Sequence, residues 1–179
     1  NSQYYNESRL WLEYSYLKLN IVDSSLLKIN LIEKDFVNSE DKIDDELFFL
    51  LHNLKGDIFI QLENYSKAFL EFEKSLDFID SKTKKIMMYS KLVIISESFE
   101  KYDKAINYLE KIQILSVDND IKIESFRKWL DIMKKLKLYD DIIVEIQEKL
   151  ISPEFDSSIL KDELNIELGI SYMKKNNFS

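Results

Sequence analysis

Three short stretches of the chain share one pattern: ENYSKA at 63–68, EKYDKA at 100–105 and KLYDDI at 137–142. Their tyrosines, Tyr65, Tyr102 and Tyr139, recur every 37 residues. Each stretch follows a run of apolar residues at helical spacing and opens another such run. A fixed period of this length is typical of repeat proteins, in which each repeat is one small structural unit. The pattern therefore predicts a helix, a tight turn and a second helix, repeated along the chain.

The composition favours helices and disfavours most other folds. The chain has 179 residues, of which 45% are hydrophobic and 32% charged, with 2 glycines, 1 proline and no cysteine. A domain of this length ordinarily carries about a dozen glycines, so turn-rich sheets, barrels and glycine-rich phosphate loops are disfavoured. The lack of cysteine excludes disulfides and thiolate metal sites. We therefore predict an all-α protein.

The charge and hydropathy patterns bear on location and partners. A net charge of -8 repels nucleic-acid phosphates and anionic lipid surfaces. The longest apolar runs, 47–51 and 92–95, are far shorter than the roughly 20 residues of a membrane span, and the start of the chain lacks a signal-peptide pattern. We expect a cytoplasmic protein with no membrane and no direct nucleic-acid binding.

The two glycines follow the register of the aromatic residues. Gly56 lies nine residues before Tyr65, and Gly169 lies nine residues before Phe178. A glycine inside a helix costs about 1 kcal/mol relative to alanine. Their shared position therefore predicts a close backbone contact between paired helices at both sites.

With these features the chain resembles the tetratricopeptide repeat family. The best unit, 49–82, has at the family's positions Gly56, Phe59, Tyr65, Ala68, Phe72 and Ser75. The units at 83–118 and 119–155 have Val93 and Leu130 in place of the glycine, so we expect looser or rotated packing there. The resemblance implies a right-handed superhelical solenoid of antiparallel helix pairs, forming a single continuous domain.

Two terminal segments complete the predicted domain. Residues 1–48 form a degenerate helical repeat with a polar break at 22–25 and a solvated acidic connection at 35–46. Residues 156–179 form the first helix of a truncated repeat, and its turn is expected at 174–179.

The resemblance also implies a binding surface, because the first helix of each repeat lines a concave groove that binds a peptide or a partner protein. The residues expected to face this groove are Asn53, Asp57, Ile60, Ser90, Ile94, Glu97, Arg127, Asp131 and Lys134. The Asn53 amide can both donate to and accept from a peptide backbone, and Arg127 can bind a carboxylate. An ordinary exposed position on a helix is the alternative for each residue. The family's chaperone-binding repeats have a lysine and an asparagine where this chain has Asn53 and Asp57, which disfavours a chaperone clamp.

Residues that carry chemistry are scarce. The single histidine, His52, lies on an apolar helix one turn before Gly56 and has no second histidine or cysteine to complete a triad or a zinc site. The acidic pairs at 44–45 and 140–141 lack the alternating oxygen ligands of a calcium loop and are predicted to start helices. We expect no enzymatic activity, no cofactor and no metal.

Six basic residues cluster in the third repeat: Lys122, Arg127, Lys128, Lys134, Lys135 and Lys137. They either bind an anion or an acidic peptide, or pair with neighbouring acidic residues on an outer face. Nucleic-acid binding ranks below both, because Phe126 and Trp129 are needed for packing.

Two functions remain open from the sequence. The first is a non-catalytic peptide- or protein-binding domain. Its composition and five-unit layout resemble the peptide-sensing part of transcriptional regulators from low-GC Gram-positive bacteria. The second is an assembly scaffold or a homodimerisation module. A sensor should bind a peptide of a few residues, whereas a scaffold should need a larger surface.

Overall fold

A computed structural model describes residues 2–19, 21–39 and 42–176. These residues form helices joined by short connections, with no strand among them. The α-helices are α1 (Ser2–Lys18), α2 (Val22–Val37), α3 (Asp45–Gln61), α4 (Tyr65–Ser75), α5 (Lys82–Ser98), α6 (Tyr102–Leu115), α7 (Asn119–Leu136), α8 (Tyr139–Ile151) and α9 (Ser158–Asn176). Short 3₁₀ turns follow α4 at Leu76–Phe78 and α8 at Pro153–Phe155. The all-α prediction is confirmed for the described residues.

The chain divides into two compact units, unit 1 (Asn1–Phe99) and unit 2 (Glu100–Ser179). In unit 1, α3 packs against α1, α2 and α4, and α4 also packs against α5. In unit 2, α7 packs against α6 and α8, and α8 also packs against α9. The boundary falls inside the predicted 83–118 repeat. The pairing of that repeat's two helices and the continuous superhelix therefore stay predictions.

The 37-residue period is visible in the backbone. Glu63, Glu100 and Lys137 have positive φ angles of 55°, 55° and 59°, and each stands two residues before a repeat tyrosine. Each tyrosine is the first residue of its helix, α4, α6 or α8. Glycine is the usual residue at such a left-handed helix end. Glutamate and lysine occupy it here, which explains how a chain with two glycines makes its tight turns.

Backbone hydrogen bonds close two of these turns in the same way. The Asn64 N–H donates to the Phe59 carbonyl over 2.8 Å, and the Leu138 N–H donates to the Met133 carbonyl over 3.1 Å. Both bonds span five residues, as in the Schellman motif that ends many helices. The prediction of a helix, a tight turn and a second helix is thus confirmed at Tyr65 and Tyr139.

The beginning of unit 1 differs from the sequence prediction in two places. The break lies before Val22, where α2 begins, and not at 22–25. The acidic connection predicted for 35–46 is also shorter, since α2 continues to Val37. Phe36 is buried there and meets Phe48 edge-on, with ring centroids 5.6 Å apart. This buried ring keeps the end of α2 in the core, so Asp35 belongs to the helix and not to the connection.

The core of unit 1 is a continuous apolar cluster from its first three helices: Leu10, Leu17, Ile29, Ile32, Phe36, Leu47, Leu51, Leu54 and Ile58. The residues recur at spacings of three, four and seven along each helix, as expected for one helix face turned inward. This cluster fixes α1 and α3 side by side, which positions the pocket described below.

The two glycines have different environments. A Cβ atom built on Gly56 would lie 2.2 Å from the Phe72 ring, so the predicted close contact between α3 and α4 is confirmed. A Cβ on Gly169 would meet nothing within 4 Å. The described residues include no second helix for this truncated repeat, so the contact predicted at Gly169 stays a prediction. The turn expected at 174–179 begins later than predicted, because α9 continues to Asn176, and Phe178 lies outside the described residues.

Candidate functional site

Unit 1 contains an open pocket of about 370 Å³ between α1, α3 and α5, here called the unit-1 pocket. The side chains that line it are Glu7, Trp11, Tyr14, Asp44, Glu46, Leu47, Phe49, Leu50, Asn53, Leu54 and Lys84. Leu47, Phe49 and Leu54 are buried, whereas Trp11 is 49% exposed. The pocket therefore has an apolar floor and an accessible aromatic wall.

Polar groups surround this floor. The indole N–H of Trp11 donates to Glu7 Oε1 over 3.3 Å, and Trp11 meets Tyr14 edge-on at 5.7 Å. Lys84 pairs with Glu46, and its ammonium lies 5.0 Å from the Phe49 ring centroid. Asp44 caps α3 by accepting from the Glu46 N–H over 3.0 Å. These contacts fix the rim, because each polar group is held by a neighbour on the same or an adjacent helix.

Asn53 is the predicted groove residue that lines the unit-1 pocket. Its Oδ1 accepts from Lys91 Nζ over 2.8 Å, and Asp57 Oδ1 accepts from the same ammonium over 2.5 Å. One lysine of α5 therefore joins two predicted residues of α3. Lys91 takes one of the two acceptor positions of the Asn53 oxygen, so the second acceptor position and both Nδ2 donors remain for a peptide backbone.

The other predicted groove residues of unit 1 do not line the unit-1 pocket. Ile60 and Glu97 are half-buried, and Ile94 is exposed. Ser90 is also exposed, but its hydroxyl donates to the Ile86 carbonyl of its own helix over 3.0 Å. Ile94 therefore offers apolar surface, whereas Ser90 is occupied by a local bond that is common for serine in helices.

The three predicted residues of unit 2 belong to a network of ion pairs between α7 and α9. Arg127 binds Glu163 through two hydrogen bonds, Nε to Oε1 at 2.8 Å and Nη2 to Oε2 at 2.5 Å. This pairing lowers the pKa of the Glu163 carboxyl. Lys134 reaches both Asp131 and Glu167 at 3.2 Å. The carboxylate that Arg127 binds is therefore one of the chain's own.

Ion pairs of this kind also involve other residues of the basic cluster in the third repeat. Lys122 pairs with Glu154, as Arg127 and Lys134 pair with acidic residues of α9. Lys122, Arg127 and Lys134 thus have acidic partners within unit 2. This geometry favours the alternative of a charged face balanced by neighbouring acidic residues over an anion site.

A buried charge cluster between α2, α3 and α4 was not predicted. His52 Nδ1 lies 2.7 Å from Glu71 Oε2, and because a carboxylate only accepts, the imidazole nitrogen is the donor. Lys55 Nζ lies 2.8 Å from Glu33 Oε2 and 3.7 Å from Glu71 Oε1. Lys74 adds a third contact to Glu71 at 3.1 Å. His52 also stacks on Phe78, so its ring both packs in the interior and binds Glu71.

The Glu71 carboxyl is held charged by this cluster. Burial alone would raise its pKa, but the hydrogen bond from His52 and the ammonium groups of Lys55 and Lys74 outweigh burial and lower the pKa to about 2. A buried carboxylate with these partners is stabilised and unreactive. The signal missed in the sequence is Glu71 itself, an acidic residue on the apolar face of α4 next to Phe72.

The cluster also has the composition of a metal site. Glu33, His52 and Glu71 each offer one ligand atom, and these atoms lie within 4.8 Å of one another. The Lys55 ammonium contacts both carboxylates, however, and supplies the positive charge that a metal ion would bring. The geometry therefore favours an ion-pair network over a metal centre.

The comparisons with known proteins identify no related protein. No protein-family model matches the chain, and neither the comparison with curated proteins nor that with solved structures gives a significant match. Within the described residues, no helix is both long enough and apolar enough to cross a lipid bilayer.

Proposed function

We propose that unit 1 is a non-catalytic module of the tetratricopeptide type, which binds a short peptide in the unit-1 pocket. The observation that carries this proposal is an open pocket with a buried apolar floor, bounded by α1, α3 and α5. These three helices are the first helices of successive predicted repeats, and in the tetratricopeptide family the first helices line the binding groove. A concave site with an apolar floor and a few fixed polar groups is the usual form of a ligand pocket.

The dimensions of the pocket suit side chains of an extended peptide. A volume of about 370 Å³ holds one large side chain and part of its neighbour. Trp11 and Leu50 supply apolar contact, and the Nδ2 donors of Asn53 suit a peptide carbonyl. Binding through alternate side chains together with backbone hydrogen bonds is a common mode of peptide recognition.

The charges at the rim indicate which charged residue the peptide should carry. Glu7, Asp44 and Glu46 place three carboxylates on the pocket, against one ammonium from Lys84 that already pairs with Glu46. The excess of negative charge favours a basic residue in the ligand. We therefore expect a large apolar side chain next to a lysine or an arginine.

The test selects ligands from a displayed library of random twelve-residue peptides, with the full chain as bait. The affinity of the consensus peptide, carrying a fluorescent label, is then measured by anisotropy for the wild type and three variants. Leu50→Ala and Asn53→Ala should each weaken binding by about fivefold or more, as truncation of a contact residue commonly does. Leu70→Ala is the matched control, because Leu70 lies on α4, is 55% exposed and does not line the pocket.

Other results would refute the proposal. Equal affinities for Leu50→Ala, Asn53→Ala and Leu70→Ala would place the peptide elsewhere. If no peptide is enriched, the alternative of a scaffold or homodimerisation module is favoured, and sedimentation of the chain at increasing concentration distinguishes these two. A role in a bacterial transcriptional regulator is the wider setting proposed for the peptide site, and it requires a DNA-binding segment in the same polypeptide.

A further inference from the structure

A second pocket, of about 430 Å³, lies within unit 2 between α6, α7, α8 and the 3₁₀ turn that follows α8. Aromatic rings form its base. Phe126 and Trp129 are nearly parallel, with centroids 5.6 Å apart, and Phe155 meets Phe126 edge-on at 5.4 Å. All three rings are buried, so this unit-2 pocket is a built cavity with a rigid base.

The charges of the unit-2 pocket are unbalanced. Glu110, Glu145 and Glu154 line it, together with Lys122 and Lys149. Lys122 is paired with Glu154. The Oε2 atom of Glu145 is fully buried and accepts no hydrogen bond from the described residues. A buried carboxylate oxygen without a donor is costly. A positively charged donor would remove this cost, and it reaches the oxygen once a neighbouring side chain of the pocket moves aside, because the atom itself is buried.

The aromatic base already holds a cation. The Lys149 ammonium lies 5.4 Å from the Phe126 centroid and 5.7 Å from the Phe155 centroid. These distances are in the range of cation–π attraction. The pocket thus combines a surface that attracts cations with a carboxylate that has an unused acceptor.

We propose that the unit-2 pocket binds the guanidinium group of an arginine side chain from a partner polypeptide. A guanidinium is planar, stacks on aromatic rings and donates in a fork that matches a carboxylate such as Glu145. The volume accommodates one arginine side chain. Ile114, at the pocket and 81% exposed, gives the partner chain an apolar contact beside it. The site goes beyond the peptide site of unit 1 and uses none of its residues.

The test follows the indole N–H signals in two-dimensional proton–nitrogen NMR spectra of the full chain. The chain has 2 tryptophans. Trp129 reports the unit-2 pocket and Trp11 the unit-1 pocket, and a Trp11→Phe variant assigns the signals. The probes are N-acetyl-arginine amide and N-acetyl-citrulline amide, which has nearly the same shape without the charge. We expect the arginine probe to shift the Trp129 signal to saturation, with the citrulline probe about tenfold weaker.

Three variants sharpen the test. Glu145→Gln keeps the side-chain volume but removes the charge, and should weaken the arginine probe by about tenfold. Lys149→Gln removes the competing ammonium from the rings and should tighten binding by about threefold. Glu148→Gln is the matched control, because Glu148 is an exposed residue of the same helix and does not line the pocket; it should leave the affinity unchanged.

Opposite results would overturn the inference. A Trp129 signal that does not move, or that moves equally with both probes, excludes recognition of the charge. Weaker binding of the arginine probe in Lys149→Gln would show that Lys149 supports the site instead of competing with the guanidinium for the rings, which contradicts the proposal. A shift of Trp11 alone would place the probe in the unit-1 pocket. A failure at Trp129 leaves the peptide site of unit 1 untouched, because the two tryptophans report the two pockets separately.

Discussion

Replacing Gly56 by alanine should destabilise the protein, whereas replacing Gly169 by alanine should stabilise it. In Gly56→Ala, the new Cβ would lie 2.2, 2.5 and 2.7 Å from three carbon atoms of the Phe72 ring. The ring is 1% exposed and cannot move into solvent. In Gly169→Ala, the new methyl group would meet nothing within 4 Å. The same chemical change therefore tests close packing at one site and helix propensity at the other.

The magnitudes follow from two competing effects. Alanine gains about 1 kcal/mol over glycine in a helix, whereas overpacking a buried site costs about 1 to 3 kcal/mol. At Gly56 the ring must move by more than about an ångström, so the cost lies at the upper end and the net destabilisation is about 2 kcal/mol. At Gly169 the propensity gain is unopposed, and we expect a stabilisation of about 0.5 to 1 kcal/mol.

Thermal unfolding followed by circular dichroism measures both effects. For a chain of this size, 1 kcal/mol corresponds to about 2 to 4 °C in Tm, so the two variants should move Tm in opposite directions. Adding Phe72→Leu to Gly56→Ala should destabilise less than the sum of the single changes, because the smaller side chain relieves the contact. A Gly56→Ala variant as stable as the wild type, or equal losses at both glycines, would refute the packing argument.

Two further predictions concern charged groups. The pKa of Glu71 is about 2 in the folded protein and 4.5 as its ordinary value, so the His52–Glu71 pair stabilises the fold above pH 4.5 and loses this contribution as the pH falls towards 2. The stability difference between the wild type and Glu71→Gln, from urea unfolding at several pH values, should shrink over that interval; a constant difference would contradict the assignment. The exposed Arg127–Glu163 pair should contribute less than about 1 kcal/mol, and a double-mutant cycle with alanine at both positions should give a coupling that falls as salt is raised. A coupling that is independent of salt would show that the pair is shielded from solvent.

The helices could be predicted because their signals are local. Apolar spacing within one helix and the recurring turn tyrosines require no knowledge of neighbours, and Tyr65 and Tyr139 start their helices as predicted. Gly56 could be predicted for the same reason, since a costly residue in a helix implies a neighbour that needs the space. Gly169 shares the register, but the described residues include no helix that packs over it, so the rule stays a prediction there.

The side-chain network could not be predicted, because it depends on how adjacent helices are rotated. His52 and Glu71 are 19 residues apart on different helices, and only packing brings them within 2.7 Å. The hydrogen bonds from Lys91 to Asn53 and Asp57 also depend on how the helices pack. Nothing in the spacing of residues along α3 indicates that a lysine of α5 binds there. The burial of Phe36 could not be predicted either, because the acidic residues near it in the sequence indicated an exposed connection. Long-range partners of this kind decide which predicted groove residues remain accessible to a ligand.

The central claim is that a short peptide binds in the unit-1 pocket, and the most direct test is an NMR titration with the consensus peptide from the library selection. Trp11 lines that pocket and Trp129 lies in unit 2, so each indole N–H signal reports one location. We predict that the peptide shifts the Trp11 signal to saturation, and that Leu50→Ala reduces the affinity whereas Leu70→Ala does not. A peptide that binds without moving Trp11 would contradict the account.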